Sequence, residues 1–250
     1  MTPDDDPRVT RPPMTRRSLL LNVGVVVAVL AAMLCLLLPA VNSLRRHAKR
    51  GSDANNLKQL ALAAENYDAA NEKLIGPYAQ ASPGVLNTEM SFRASLLPYI
   101  EADPLYRRVD LSQPWDSVHN APATSTPLRY FQSPDTPDAT KPDTPYRVFY
   151  GGGALFAADG MPVKLKDIPD GASNTILFVH ATETVPWAKP QEFPYTATTP
   201  LPPLGSPGLG GGGFNAAMAD GSVRFFKATI PDADLRGLIE KADGRGRDTE

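Results

Sequence analysis

Few side chains in this sequence stand at spacings that chemistry would use. The histidines lie far apart, at His47, His119 and His180, and Cys35 is the single cysteine. That excludes an intrachain disulfide and any Cys₄ or Cys₂His₂ zinc site. His180 is the most suggestive of the set. It closes the apolar run 175–180 (TILFVH), with Glu183 just behind it, and the partners of a Ser-His-Asp site need only be close in space. The simpler reading is a polar residue at a strand end. His119, in WDSVHN, reads as a loop residue. The stretch 208–213 (GLGGGG) satisfies G-x-G-x-x-G, but a proline-rich loop precedes it and a strand-like run follows. A phosphate cradle needs a helix N-terminus there, so no nucleotide is expected. Asp220, in an Asp-Gly pair, is a turn former or one ligand of a calcium ion alongside loop carbonyls; the turn alone accounts for it. Trp115 (QPWDS) and Trp187 (VPWAK) each sit beside proline. Exposed loop tryptophans bind sugars or partners, but tryptophan more often plugs a loop onto a core, the role expected of both. No G-x-S-x-G, H-E-x-x-H, Walker A or EF-hand pattern occurs.

Composition points the same way. In 250 residues, 42% are hydrophobic and the formal net charge is −2, which fits a folded chain and argues against a nucleic-acid binder. Proline is the outlier at 26 residues, about twice the usual ~5%. Proline breaks helix interiors and central strands, so much of the chain must be loop. Neither an enzyme nor a cofactor is expected.

The elements that would position these residues begin with an uncharged run, residues 19–41 (LLLNVGVVVAVLAAMLCLLLPAV). As a helix it is ~34 Å long, enough to cross a ~30 Å hydrocarbon core, and too long for the apolar region of a cleavable signal peptide. Lys and Arg flank both ends, so their count does not orient the span. Leu57, Leu60, Ala61, Ala64 and Tyr67 then recur at helical spacing as one apolar stripe. Gly51 and Ser52 are expected to loosen the helix before the stripe, with Asp53 as an N-cap. Past Gly76-Pro77, residues 91–106 read as a short helix broken at Pro98, and 115–145 as a long irregular surface connection. Strands are expected over 146–150 and 175–180, the latter introduced by Asp170-Gly171. A hairpin is expected over 214–226, with Asp220-Gly221 as a two-residue turn. Pro231 and Asp232 open a short helix with Leu235, Leu238 and Ile239 on one side. Helix first and antiparallel strands later make an α+β fold, one long helix against a meandering sheet.

The order of segments says more than any one of them. LLPAV, which holds Pro39, comes first. NNLKQLALAAENYD follows, opening on Asn55, Asn56 and Leu57. Then come LLPYIEADPLY, QPWDSVHN with Trp115, and TPYRVF. After these come DGASNTILF with Asp170, Gly171 and Asn174, VPWAKP with Trp187, and ADGSVRFF with Asp220 and Gly221. Together the set resembles the bacterial prepilin-like family of unknown function with an H-x9-DG signature near its C-terminus, over roughly residues 18–243. The resemblance implies a pilin-type N-terminal helix, membrane-embedded and then packed on a small antiparallel sheet. It also implies a cytoplasmic N-terminus and an exported C-terminal domain, and it carries no catalytic activity. Three departures stand out. With Pro39 matched to the kink proline of pilin helices, Arg17 replaces the glycine before the scissile bond. Asn22 replaces the glutamate near the mature N-terminus, and Gly210 stands where the signature histidine would be.

The expected organisation is a cytoplasmic tail (1–18), a transmembrane helix (19–41) and an amphipathic helix (42–75). A proline- and β-rich globular domain (76–243) and a frayed tail (244–250) complete it. The expected function is a non-enzymatic, single-pass inner-membrane protein displaying a pseudopilin-like domain outside the membrane. Its partners would be the lipid bilayer and other pilin-like or secretion-system proteins. Two alternatives remain: a module binding envelope glycan or protein through the tryptophan loops, and a membrane-tethered hydrolase. An exposed tryptophan cleft would favour the first, and Ser or Asp bonded to His180 the second.

Overall fold

The structure, a computed structural model, describes residues 16–82, 84–136, 138–158, 163–209 and 212–242. It is α+β, with a long N-terminal helix and antiparallel sheets, consistent with a pilin-like fold. The chain divides into two compact units, Met1–Arg45 and Arg46–Glu250. Helix α1 runs Arg16–Asn71.

In the first unit the described side chains of α1 from Val23 to Leu30 are exposed and carry no polar group. The consecutive Val25, Val26 and Val27 are 56%, 57% and 59% exposed. Three successive residues cover most of a helix circumference, so this is an all-round apolar surface. Among the described residues no helix is long and apolar enough to cross a membrane. The side chains at 16–19, 21, 31, 34 and 36–40, Pro39 included, lie outside the described residues, as do Gly210 and the tail from 243.

In the second unit the predicted stripe is buried from Leu57 to Tyr67. Two expectations here are corrected. The helix is unbroken through Gly51 and Ser52, because one exposed glycine costs a helix only ~1 kcal/mol. It ends at Asn71 rather than residue 75, because Glu72 turns to φ +54°. A left-handed residue closes the helix, and Leu74 and Ile75 fold back into the core.

Strands β1 (Tyr78–Ser82) and β2 (Val85–Ser91) form a hairpin that was not expected from sequence. The broken helix is found as α2 (Arg93–Leu96), a 3₁₀ turn holding Pro98, and α3 (Asp103–Tyr106). The connection at 115–145 is not a surface loop. It contains α4 (Ala121–Thr124), and Phe131, Ala123 and Asn120 are buried. Asn120 orders it: its amide donates to the Asp110 and Pro114 carbonyls, each at 2.9 Å, and its Oδ1 accepts from the Asp110 N–H at 2.8 Å.

The main sheet comprises β3 (Asp143–Arg147), β5 (Ile176–Pro186), β7 (Gly213–Met218) and β8 (Val223–Lys227), antiparallel in that order. The short pair β4 (Phe149–Tyr150) and β6 (Phe193–Pro194) is parallel, against the wholly antiparallel expectation. Strand β7 is buried along its whole length, because both faces of the sheet are covered. One cluster joins the α1 stripe to Leu177, Phe178 and Ala217. The other joins Val179, Phe214 and Met218 to α5 (Asp232–Ile239) through Leu235, Leu238 and Ile239. Double-sided burial erases the alternation a half-exposed strand would show.

Candidate functional site

The densest polar constellation lies between α1 and the sheet. Asp53 falls on the buried side of α1, one turn before Leu57, and is 0% exposed. Three neighbouring strands each turn one polar side chain toward it: Tyr146 from β3, His180 from β5 and Asn215 from β7. Tyr146 and His180 are paired across their strands, with rings edge to face at 5.7 Å. Tyr146 Oη donates to Asp53 Oδ1 at 2.7 Å, and His180 Nδ1 bonds the same oxygen at 2.8 Å. Asn215 Nδ2 donates to Oδ2 at 2.8 Å and to the Arg50 carbonyl at 3.2 Å. One carboxylate thus satisfies donors from three strands. The expectation that Asp53 caps a helix is therefore corrected: it lies inside the helix and bonds across to the sheet. Burial, followed by the charge of Asp53, pushes the Tyr146 phenol well above its ordinary pKa, so it remains a donor.

A carboxylate on Nδ1 fixes the orientation of the imidazole and keeps a proton on that nitrogen, leaving Nε2 outside the bond. His180, 2% exposed, borders a cavity of about 160 Å³ lined also by Ser133, Asp135, Thr136, Thr182, Thr184 and Ser206. Asp135 is held by Lys49 Nζ at 2.8 Å and by the Ser206 hydroxyl. Burial raises the Asp135 pKa, but the bonds from Lys49 and Ser206 and the lysine charge outweigh it and leave the carboxyl below its usual range. The arrangement supplies a carboxylate-oriented imidazole beside hydroxyls. Among the described residues no hydrogen bond joins any of those hydroxyls to His180.

A second charged pair is structural. Arg93 and Glu192 form a buried two-pronged bridge at 2.7 and 3.1 Å. Arg93 also donates to the Tyr146 carbonyl, and Glu192 accepts from the Val148 N–H at 3.0 Å.

Of the residues singled out by sequence, the structure gathers two groups. Asp170, Gly171 and Asn174 form a turn that meets the Asp220-Gly221 turn: the Asp220 N–H donates to Ala172 O at 3.1 Å, and the Ala219 N–H to Thr175 O at 2.8 Å. The second turn also touches α1, where Lys58 Nζ donates to Gly221 O at 2.7 Å. The hairpin loop is wider than the two-residue turn expected. The Met218 N–H bonds Ser222 O at 2.8 Å, and only Gly221, not Asp220, has positive φ, at +74°. A Cβ on Gly221 would meet only the tips of the Glu65 and Lys58 side chains, which can swing aside, so it is the positive φ that calls for glycine there.

Asp220 Oδ1 accepts from the Ser222 N–H (2.9 Å) and hydroxyl (2.6 Å). Burial raises its pKa, but these bonds and Arg224 outweigh it and hold the carboxyl below its usual range. Among the described residues no group of three or more His, Cys, Asp or Glu could hold a metal ion. On α1, Asn55 is exposed, Asn56 donates to Gln132 O at 2.7 Å, and Leu57 is fully buried. Trp187 is 0% exposed, stacks on Phe131 at 5.6 Å and donates to Thr126 O at 3.0 Å. Trp115 is half-buried against the core, its carbonyl bonded by Thr124 Oγ1 at 2.9 Å. Both tryptophans plug onto the core.

Sequence reading missed Asp53, Tyr146 and Asn215 as a set. The available signal was Asp53 lying four residues before Leu57 on the apolar stripe, with Asn215 inside the apolar run FNAAMA. A family model described as a protein of unknown function, DUF1559, matches residues 42–200. No curated protein and no solved structure matches the chain.

Proposed function

This chain belongs to the DUF1559 family of proteins of unknown function, and from that premise we propose that it is a non-enzymatic, single-pass membrane protein. It displays a prepilin-like domain outside the inner membrane as a structural or interaction module. The observation that carries this reading is the all-round apolar exposure of α1 over residues 23–30, within an uncharged run of 23 residues. Such a surface is costly in water and needs an apolar medium. The Asp53 cluster supports the reading: it fastens the helix that would leave the membrane to three strands of the displayed domain. Alkaline carbonate extraction should leave the protein in the membrane pellet, and a C-terminal alkaline phosphatase fusion should be active only outside the cytoplasm. Release into the soluble fraction would overturn the anchor, and an inactive fusion the orientation.

One observation favours a second reading. The Asp53–His180 pair meets the condition set for a tethered hydrolase. Labelling of Ser133 or Ser206 by a fluorophosphonate, lost in His180→Ala, would establish that reading over the first.

A further inference from the structure

A cleft away from the Asp53 cluster has no part in any role described so far. It lies where the end of α1 meets β1 and the α2–α3 segment, and encloses about 220 Å³. Its walls carry the rings of Tyr67, Tyr99 and Tyr106, with Pro98 and Leu111 beside them. Tyr67 and Tyr99 stand edge to face at 5.8 Å. Between the rings are amides and hydroxyls: Asn71, Gln80, Ser82 and Ser95. Among the described residues no Asp, Glu, Lys or Arg lines it. Asn71 Nδ2 donates to the Tyr99 hydroxyl at 3.3 Å, which orients that ring. Ser95 is 7% exposed, and its hydroxyl is buried with no hydrogen-bond partner among the described residues. A buried hydroxyl without a partner costs ~1–3 kcal/mol, and one bordering a cleft points to a ligand that supplies the partner.

We propose that this tyrosine cleft binds one ring of a neutral glycan. Aromatic faces suit the C–H face of a pyranose, the amides and hydroxyls suit its alcohols, and an uncharged lining suits a neutral ligand. A proline-rich peptide also uses aromatic grooves, but it has few groups to answer four polar side chains. The site belongs to the globular unit and binding is read on purified protein, so the outcome does not depend on where that unit is displayed.

The test is calorimetric titration of the full chain in detergent with the trimers of β-1,4-glucose, β-1,4-N-acetylglucosamine and β-1,4-mannose, and with decaproline. At least one trisaccharide should bind with sub-millimolar to low-millimolar affinity. Tyr99→Ala and Tyr106→Ala should each weaken it tenfold or more. Ser95→Ala should weaken it about fivefold while leaving the melting temperature unchanged or higher, an outcome that a merely structural serine would not give. No binding of any trisaccharide at 10 mM, binding of decaproline alone, or saccharide binding indifferent to Tyr99→Ala, Tyr106→Ala and Ser95→Ala would each overturn the proposal.

Discussion

Replacing Asp53 by alanine tests the central claim about how this fold is fastened. The carboxylate accepts three buried bonds, from Tyr146 at 2.7 Å and from His180 and Asn215 at 2.8 Å. Removing it strands three donors, each at ~1–3 kcal/mol when left unsatisfied. Two have partial refuge: Asn215 keeps the Arg50 carbonyl at 3.2 Å, and Tyr146 reaches Gln132 O at 3.4 Å. The expected loss is therefore about 3–5 kcal/mol, a large part of a domain's ~5–15 kcal/mol. Asp53→Asn keeps one acceptor oxygen and should cost roughly half as much. Urea unfolding of the full chain in detergent, followed by fluorescence of the buried Trp187, measures both. Asn55→Ala, exposed on the same helix, is the control and should stay within about 0.5 kcal/mol. A helix-capping Asp53 would give a different result: a loss of ~1 kcal/mol, with no coupling to His180. A loss below about 1 kcal/mol, additive with His180→Ala in a double-mutant cycle, refutes the cluster.

The hairpin separates backbone need from side-chain need. Gly221→Val should cost about 1–3 kcal/mol, because φ is +74° and a β-branched residue resists it, whereas Asp220→Asn keeps both Ser222 bonds and should be nearly silent. Melting temperatures with calcium and with chelator should not differ for the wild type; a calcium-dependent rise lost in Asp220→Asn would make the turn a cation site. Leu60→Asp should cost about 3 kcal/mol or more in the same urea assay, because Leu60 is buried in the helix stripe and an unpaired carboxylate would replace it. In alkali, burial and the bond to Glu240 raise the Tyr195 phenol to about 12. The unfolded chain loses that proton first, near pH 10, so stability present below pH 10 should fall between pH ~10 and 12. Tyr195→Phe should flatten that decline, seen as a smaller drop in urea midpoint from pH 9 to 11; an unchanged drop would show that this phenol is not responsible.

How far the sequence reveals this fold depends on whether a signal is local. The α1 stripe, the turn glycine Gly221 and the α5 triplet Leu235, Leu238 and Ile239 are legible because each follows from spacing within one element. The β1–β2 hairpin was not legible: its run VLNTEMS mixes apolar and polar residues without clean alternation, and its register shifts between Gln80 and Ser82. The loop at 115–145 misled for a related reason. Its proline content limits regular structure to short pieces such as α4 but says nothing of burial, and Asn120 satisfies the backbone that burial would otherwise strand.

The Asp53 cluster fell between these cases. Each member carried a mark, a polar residue on a face that is otherwise apolar, and each mark alone has a local explanation: a cap, a strand end, a tyrosine in a core. What makes them one site is the strand order β3-β5-β7, which sets Tyr146, His180 and Asn215 side by side under one turn of α1. That order is a property of pairing between segments far apart in the chain, and no window of sequence contains it. The same holds for the tyrosine cleft, where Tyr67 ends the helix stripe, Tyr99 and Tyr106 flank a broken helix, and Ser95 reads as one more helix residue. Polar residues on apolar faces are thus where a close reading should ask for partners before assigning caps and turns. In this chain a buried acid on a helix was the mark, and three strands were the answer to it.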